Sequence, residues 1–316
     1  MSIAVMRHGS LVWLDTFGLA DVTARTAVGR NTQFRIGSVS KLITAFTAAR
    51  LAESRKLDLD ASVRPKLPEL PAFYASVTTR ELLGHLAGVH HYGRSDYFNR
   101  THFPSVRASI AKFMNDTLIA PPGTKSFYSS YGFVLIGAEI EAIAGSPFAE
   151  AIETLTTTPL GLTHTVVEGY STHTAGFARG YQLDSANAPI DAPPIDLSDR
   201  LPAGGFLSTA GDLAAFGSAV IEGPALSVPM RTAMLTPQST SAGAPTVFGF
   251  GWRLTKDAVG RRIAFHGGDA AGGRAFILAY PDDGLVLAMT SNLGLASFAE
   301  KEAMLIAELF LSGRRP

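Results

Sequence analysis

A chain of 316 residues with 46% hydrophobic and only 17% charged residues can bury extensive apolar faces, and this composition excludes intrinsic disorder. Lys plus Arg number 27 and Asp plus Glu number 27, so there is no basic field to make nucleic acid or an anionic membrane the main partner; the terminal doublet Arg314-Arg315 is too short to change this. The absence of cysteine removes disulfides, thiolate metal centres, iron–sulfur clusters and thiol nucleophiles.

Two strand-like segments come first, Ile3 to Met6 and Leu11 to Leu14, joined by His8-Gly9-Ser10 as a hairpin. The opening residues lack the cationic start and long apolar stretch of a signal peptide, and no run approaches the ~18 apolar residues of a membrane span. The expectation is a soluble, cytoplasmic chain without a membrane span, or a periplasmic or secreted one if the native start lies upstream. After Gly37, Leu42, Ile43, Phe46 and Ala49 share one face of a helix. Further helices are predicted over Thr79 to Leu86, Ser105 to Leu118 and Tyr131 to Ala144, separated by Pro- and Gly-rich loops. The stretch from Gln182 to Pro202 holds four prolines and reads as a long surface loop. Strands return at Phe248 to Leu254, Arg262 to Phe265, Arg274 to Tyr280 and Leu285 to Thr290, with Pro281-Asp282-Asp283-Gly284 turning the last pair. An amphipathic helix from Phe298 to Leu311 closes the chain. Strands at both ends and helices between predict one α/β domain over 1–316, of the α+β type. Its sheet region is 1–57 and 205–316, and its helical region is 58–204.

The sequence contains no G-x-S-x-G elbow, no H-E-x-x-H, no Walker loop and no dinucleotide fingerprint. It does contain Ser38-Val39-Ser40-Lys41 at a helix start. Residues three apart on a helix are neighbours, so the lysine amine can reach the serine hydroxyl. Burial that disfavours the ammonium would make the amine a general base. Ser109-Ile110-Ala111-Lys112 has the same spacing but reads as a solvated helix face. Ser38 itself also fits an ordinary helix cap. Tyr128-Ser129-Ser130-Tyr131-Gly132 follows the turn Pro121-Pro122-Gly123 and precedes an apolar helix. His266-Gly267-Gly268 follows a short strand and precedes another.

These three motifs, in this order, resemble the penicillin-recognising serine enzymes: class C β-lactamases, D-alanyl-D-alanine peptidases, D-aminopeptidases and related esterases. The blocks Phe34 to Lys41, Leu82 to Val89 and Pro202 to Thr209 are similar to family blocks, and the pattern resembles the mitochondrial β-lactamase-like branch and its bacterial relatives. The resemblance implies an antiparallel five-stranded sheet flanked by helices, with an added helical region. It also implies Ser38 as acylated nucleophile, Lys41 as its activator, Tyr128 as proton shuttle and His266 as the cationic or polar member of the third motif. Ser130, Gly267, Gly268 and Asp269 would contact substrate, with the N–H groups of Ser38 and Asp269 as oxyanion donors. Ser130 stands where most relatives carry Asn and offers one donor rather than two. This ranks small esters above β-lactams among the ester, amide and β-lactam-like substrates. The alternatives are an acyltransferase of the same fold and a non-catalytic scaffold or filament-forming protein. Tyr97-Phe98-Asn99 fits the family's Tyr-x-Asn by letter but lacks the preceding turn and following helix. His85, His90 and His91 with Asp96 lack zinc-site spacing, so no metal or cofactor is expected. Trp252 reads as core, or as pocket lining. Phe73, Tyr74, Tyr92 and Tyr97 either wall the cleft or simply pack.

Overall fold

The computed structural model describes residues 1–169 and 176–312, so the Arg314-Arg315 doublet lies outside them. Six antiparallel strands form the main sheet: β1 (Ser2–Arg7), β2 (Ser10–Thr16), β3 (Arg253–Lys256), β4 (Arg262–Ala270), β5 (Gly273–Tyr280) and β6 (Leu285–Ser291). Their order is β3-β4-β5-β6-β1-β2, so the two chain ends meet where β1 pairs with β6 in the register Ala4 to Ala288.

Side-chain alternation with a period of two sorts each strand into two faces. Ile3, Val5, Phe276, Leu278, Leu285 and Leu287 face α4 (Glu300–Leu311), which covers them with Ala303, Ala307 and Phe310. The opposite face carries smaller groups, among them Ala4, Ala264, Ala275, Ala279 and Ala288. Small side chains let α3 (Ala210–Ile221) pack closely on that face, and α1 (Ser40–Glu53) joins the same core. At Gly217 of α3, an added Cβ would come within 2.6 Å of Val286, so the approach requires glycine. Against α1 lies the helical region, centred on α2 (Ser130–Ala144) with shorter helices at Thr79–Leu83, Arg94–Tyr97 and Phe148–Ile152. Among the described residues no single helix is long and apolar enough to cross a membrane.

The sheet has six strands rather than five. The added edge strand is β3, which starts later than the segment predicted from Phe248 because Gly249 to Gly251 turn the chain. Gly251, at a φ of +76°, donates its N–H to the Leu83 carbonyl at 2.9 Å, and Trp252 is fully buried as core. Strand β4 runs five residues beyond the predicted Phe265 end, through the His266-Gly267-Gly268 triad. The helix predicted from Ser105 to Leu118 is only Val106–Ser109 continued by a 3₁₀ turn, Ile110–Lys112. The predicted surface loop Gln182 to Pro202 contains a small hairpin, and its last residues run inside the molecule. Asp199 and Arg200 are buried there because they neutralise each other at 2.6 Å, and Pro202 packs on Gly137, where a Cβ would sit 2.1 Å from the ring.

Candidate active site

Ser38 lies in a 3₁₀ turn, Gly37–Val39, that leads into α1. Gly37 has a φ of +49°, and an added Cβ would meet the Asp269 carbonyl oxygen at 2.5 Å. From the other side, a Cβ on Gly268 would meet the Ile36 carbonyl oxygen at 1.9 Å and the Ser38 nitrogen at 2.9 Å. These two glycines permit β4 to press its backbone onto the nucleophile turn, which brings the peptide groups of Ser38 and Asp269 together. The turn is tied down by Ser40, whose hydroxyl donates to the Gly37 carbonyl at 2.6 Å, and by the Ile36 N–H donating to the Phe206 carbonyl at 3.1 Å.

Lys41 projects from the first turn of α1 with its Nζ 3.1 Å from Ser38 Oγ. The amine also donates to the Ala203 carbonyl at 2.8 Å, and the next turn of α1 is fixed where the Thr44 hydroxyl donates to the Pro202 carbonyl at 2.7 Å. Lys41 is 0% exposed and has no carboxylate partner among the described residues. Burial pushes its pKa well below the ordinary lysine value, and the Arg200 cation adds to the effect. An uncharged amine within proton-sharing distance of a serine hydroxyl can act as a general base.

Tyr128 stands over this pair, with Lys41 Nζ 4.9 Å from its ring centroid. His85, His91 and His266 ring it at 4.7, 5.4 and 6.0 Å between centroids. Burial raises the phenol's pKa above its ordinary value, opposed by a hydrogen bond with the Ser38 hydroxyl. The phenol therefore keeps its proton, and the amine rather than a tyrosinate is the basic group of the site. Ser130, two residues on at the start of α2, is buried.

The period of β4 places His266 on the face of Ala264, toward α1. Its Nδ1 lies 2.6 Å from the Gly267 carbonyl, which can only accept, so Nδ1 carries the proton and Nε2 the lone pair. Burial pushes its pKa down to about 3. His266 is therefore the polar, uncharged kind of the two expected for the third motif. Asp269, at the cleft rim, is ion-paired with Arg274.

A small recess beside Ser38 is lined by Tyr92, Tyr97, Arg200, Gly204 and Asp269. Larger surface grooves exist, such as one lined by Gln33, Glu153 and His164, but that one contains none of the motif residues. Tyr97 thus walls the recess, yet its ring neighbours are Tyr92 and Phe98, whereas Lys41 lies against Tyr128. Tyr74 belongs to the core. Sequence reasoning missed Arg200 and Asp199, whose ion pair backs the recess with Arg200 4.6 Å over the Tyr92 ring. It also missed Arg253, whose guanidinium covers Phe248 at 4.9 Å and Tyr128 at 5.9 Å. The available signal was an adjacent Asp-Arg pair in a Pro-rich stretch.

The second Ser-x-x-Lys does not form such a pair. Ser109 is buried rather than solvated, donating its hydroxyl to the Val106 carbonyl at 2.7 Å. Lys112 is bound to Asp199 at 2.6 Å and Asp96 at 3.1 Å. The histidines considered for a metal also diverge: His90 Nε2 meets Asp116 at 2.9 Å, while His85 and His91 point to backbone N–H groups of the tyrosine loop. No group of three metal-binding side chains occurs among the described residues.

This constellation on this fold defines a serine β-lactamase-like protein. The chain belongs to the β-lactamase family, whose family model matches residues 1–310. It is 28% identical over 290 residues to the human mitochondrial serine β-lactamase-like protein LACTB; the match takes in 70% of this chain and 53% of that protein, so the chain spans about half the length of such curated relatives. Among solved structures it is similar to the D-amino acid amidase from Ochrobactrum anthropi, with a TM-score of 0.85 at 23% identity over 99% of this chain and 94% of that one. It is also similar to EstCE1, a hydrolase with promiscuous acyltransferase activity, with a TM-score of 0.78 at 23% identity over 93% and 88%. These structural likenesses establish the fold.

Proposed function

We propose that the protein is a serine hydrolase that works through an acyl-enzyme on small esters or short amides, with esters preferred over β-lactams. The observation that carries this reading is the 3.1 Å approach to the Ser38 hydroxyl of a wholly buried lysine amine that has no carboxylate partner among the described residues. Lys41 takes the serine proton as Ser38 Oγ attacks the substrate carbonyl. The resulting oxyanion is met by the N–H groups of Ser38 and Asp269, each such donor contributing about 10² to 10³ in rate. Tyr128, still protonated, gives its proton to the leaving group and is reprotonated from the Lys41 ammonium. Water then enters by the reverse route and frees the acid. Names among the structural relatives, an amidase and a hydrolase with acyltransferase activity, fit acyl chemistry of this kind.

The ester preference rests on two departures. Ser130 replaces the two-donor amide of an Asn with one hydroxyl, and His266 brings no positive charge for a substrate carboxylate. A missing hydrogen bond of about 1.4 kcal/mol corresponds to about tenfold in rate. Comparing kcat/KM for a p-nitrophenyl ester, a D-alanine anilide and a chromogenic cephalosporin tests this. The ester is expected to exceed the cephalosporin by at least about tenfold; parity or the reverse order would overturn the preference.

A further inference from the structure

The first four N–H groups of any helix lack partners within it. At α2 this matters, because the residue just before its cap is Tyr128. Ser129 is the cap, its hydroxyl accepting from the Gly132 N–H at 2.8 Å. The two N–H groups before that are taken by imidazoles: Ser129 N–H donates to His85 Nδ1 and Ser130 N–H to His91 Nδ1, each at 3.1 Å. A ring nitrogen that accepts from a backbone N–H carries no proton of its own, so both rings are fixed as neutral Nε2–H tautomers. Burial keeps them so, lowering His91 to about 4 and His85 well below its ordinary value.

The same segment grips the loop twice more. Ser129 donates its hydroxyl to the His90 carbonyl at 2.8 Å, and the Phe127 N–H donates to the His85 carbonyl at 2.8 Å. Tyr128 is therefore bracketed on both sides by contacts to residues 85–91. The two histidines differ in setting. His85 is buried among Tyr128, Phe133 and Phe248. His91 lies at the exposed edge, its ring tilted against that of Tyr92 with 4.0 Å between centroids, and Tyr92 itself walls the recess beside Ser38.

We propose that His91 is a positioning residue for the acyl-transfer reaction: by accepting the Ser130 N–H and packing against Tyr92 and Tyr128, it fixes the phenol over the Ser38–Lys41 pair. The inference rests on the reading of Tyr128 as the proton-transferring group. It is specific about the atom used. Asn places its side-chain oxygen at the same remove from the backbone as His Nδ1, whereas Gln places its oxygen one bond further, at the reach of Nε2.

Steady-state kinetics with a p-nitrophenyl ester on His91→Leu, His91→Gln, His91→Asn and Tyr128→Phe test it. A misplacement of about 1 Å at a reacting group can cost about 10² in rate. His91→Leu and His91→Gln are expected to lower kcat by at least about tenfold with KM within about twofold, and His91→Asn to restore kcat to within about threefold of wild type. His91 lies at the molecular edge with part of its ring in solvent, so these variants are expected to fold, which matching circular dichroism melts would check. If Tyr128→Phe is inactive while His91→Leu retains wild-type kcat, or if Asn and Leu fall equally, the positioning role is overturned and the reading of Tyr128 survives. If Tyr128→Phe is as active as wild type, it is that reading that fails.

Discussion

Ser38-Val39-Ser40-Lys41 and Ser109-Ile110-Ala111-Lys112 have the same spacing and both lie at helical turns, yet only one is a reactive pair. In the first, the amine meets the hydroxyl at 3.1 Å, a backbone carbonyl holds it, and no carboxylate is bound to it among the described residues. In the second, two aspartates hold the lysine and the serine hydroxyl donates back to its own helix. Spacing gives proximity, whereas surroundings decide charge. A lysine beside carboxylates remains an ammonium and cannot accept a proton; a buried lysine without them loses its proton and can. Asp199 links the two sites, since it binds Lys112 on one side and Arg200 on the other. That arrangement leaves Arg200 as a cation that disfavours protonation of Lys41.

The sharpest way to break the comparison is to remove each lysine in turn. Lys41→Ala is expected to lower kcat/KM for an ester by at least about 10² without loss of fold. Lys112→Ala is expected to leave kcat/KM within about fivefold while lowering the unfolding free energy by about 1–3 kcal/mol, because a charged hydrogen-bond partner of buried Asp199 is lost. Equal kinetic effects of the two substitutions, measured alongside urea unfolding, would erase the distinction.

A smaller effect sharpens the role of burial, through an acid instead of a base. Glu139 in α2 is 1% exposed, accepts a hydrogen bond from the Thr79 hydroxyl at 2.9 Å, and is pushed by burial from 4.5 up to about 7. Because the folded value is raised, the stability its protonated form contributes is complete below about pH 4 and is lost as pH rises through about 7. Between pH 4 and pH 8 the wild type should lose on the order of 3 kcal/mol relative to Glu139→Gln, read from urea unfolding at both pH values. Parallel profiles for the two proteins would contradict a buried neutral carboxyl.

Much of the site was legible in sequence because its parts are local. Ser38 and Lys41 are one helical turn apart, Tyr128 follows a Pro-Pro-Gly turn, and His266 sits in a strand with a clear period. The glycines at 37 and 268 could be seen, but not that each makes room for the other's strand. Charge state was not legible. His266 is neutral because of burial, which cannot be read from its neighbours in the chain. The loop ending at Pro202 was misjudged for a related reason. Prolines and polar residues usually mean exposure, and only the pairing of Asp199 with Arg200 and Lys112 allows that segment to run inside. The edge strand predicted over Phe248 to Leu254 lies further on, at Arg253–Lys256, because Gly249 and Gly251 shift the turn.

The central claim is that a hydroxyl at the mouth of α1 is activated by an uncharged amine one turn away. A fluorophosphonate probe with peptide mapping by mass spectrometry tests it most directly. A single adduct is expected on the Ser38 peptide, absent in Ser38→Ala and slowed by at least about 10² in Lys41→Ala, with Ser109 unlabelled. No adduct on Ser38, or one that forms at the wild-type rate without Lys41, would contradict it.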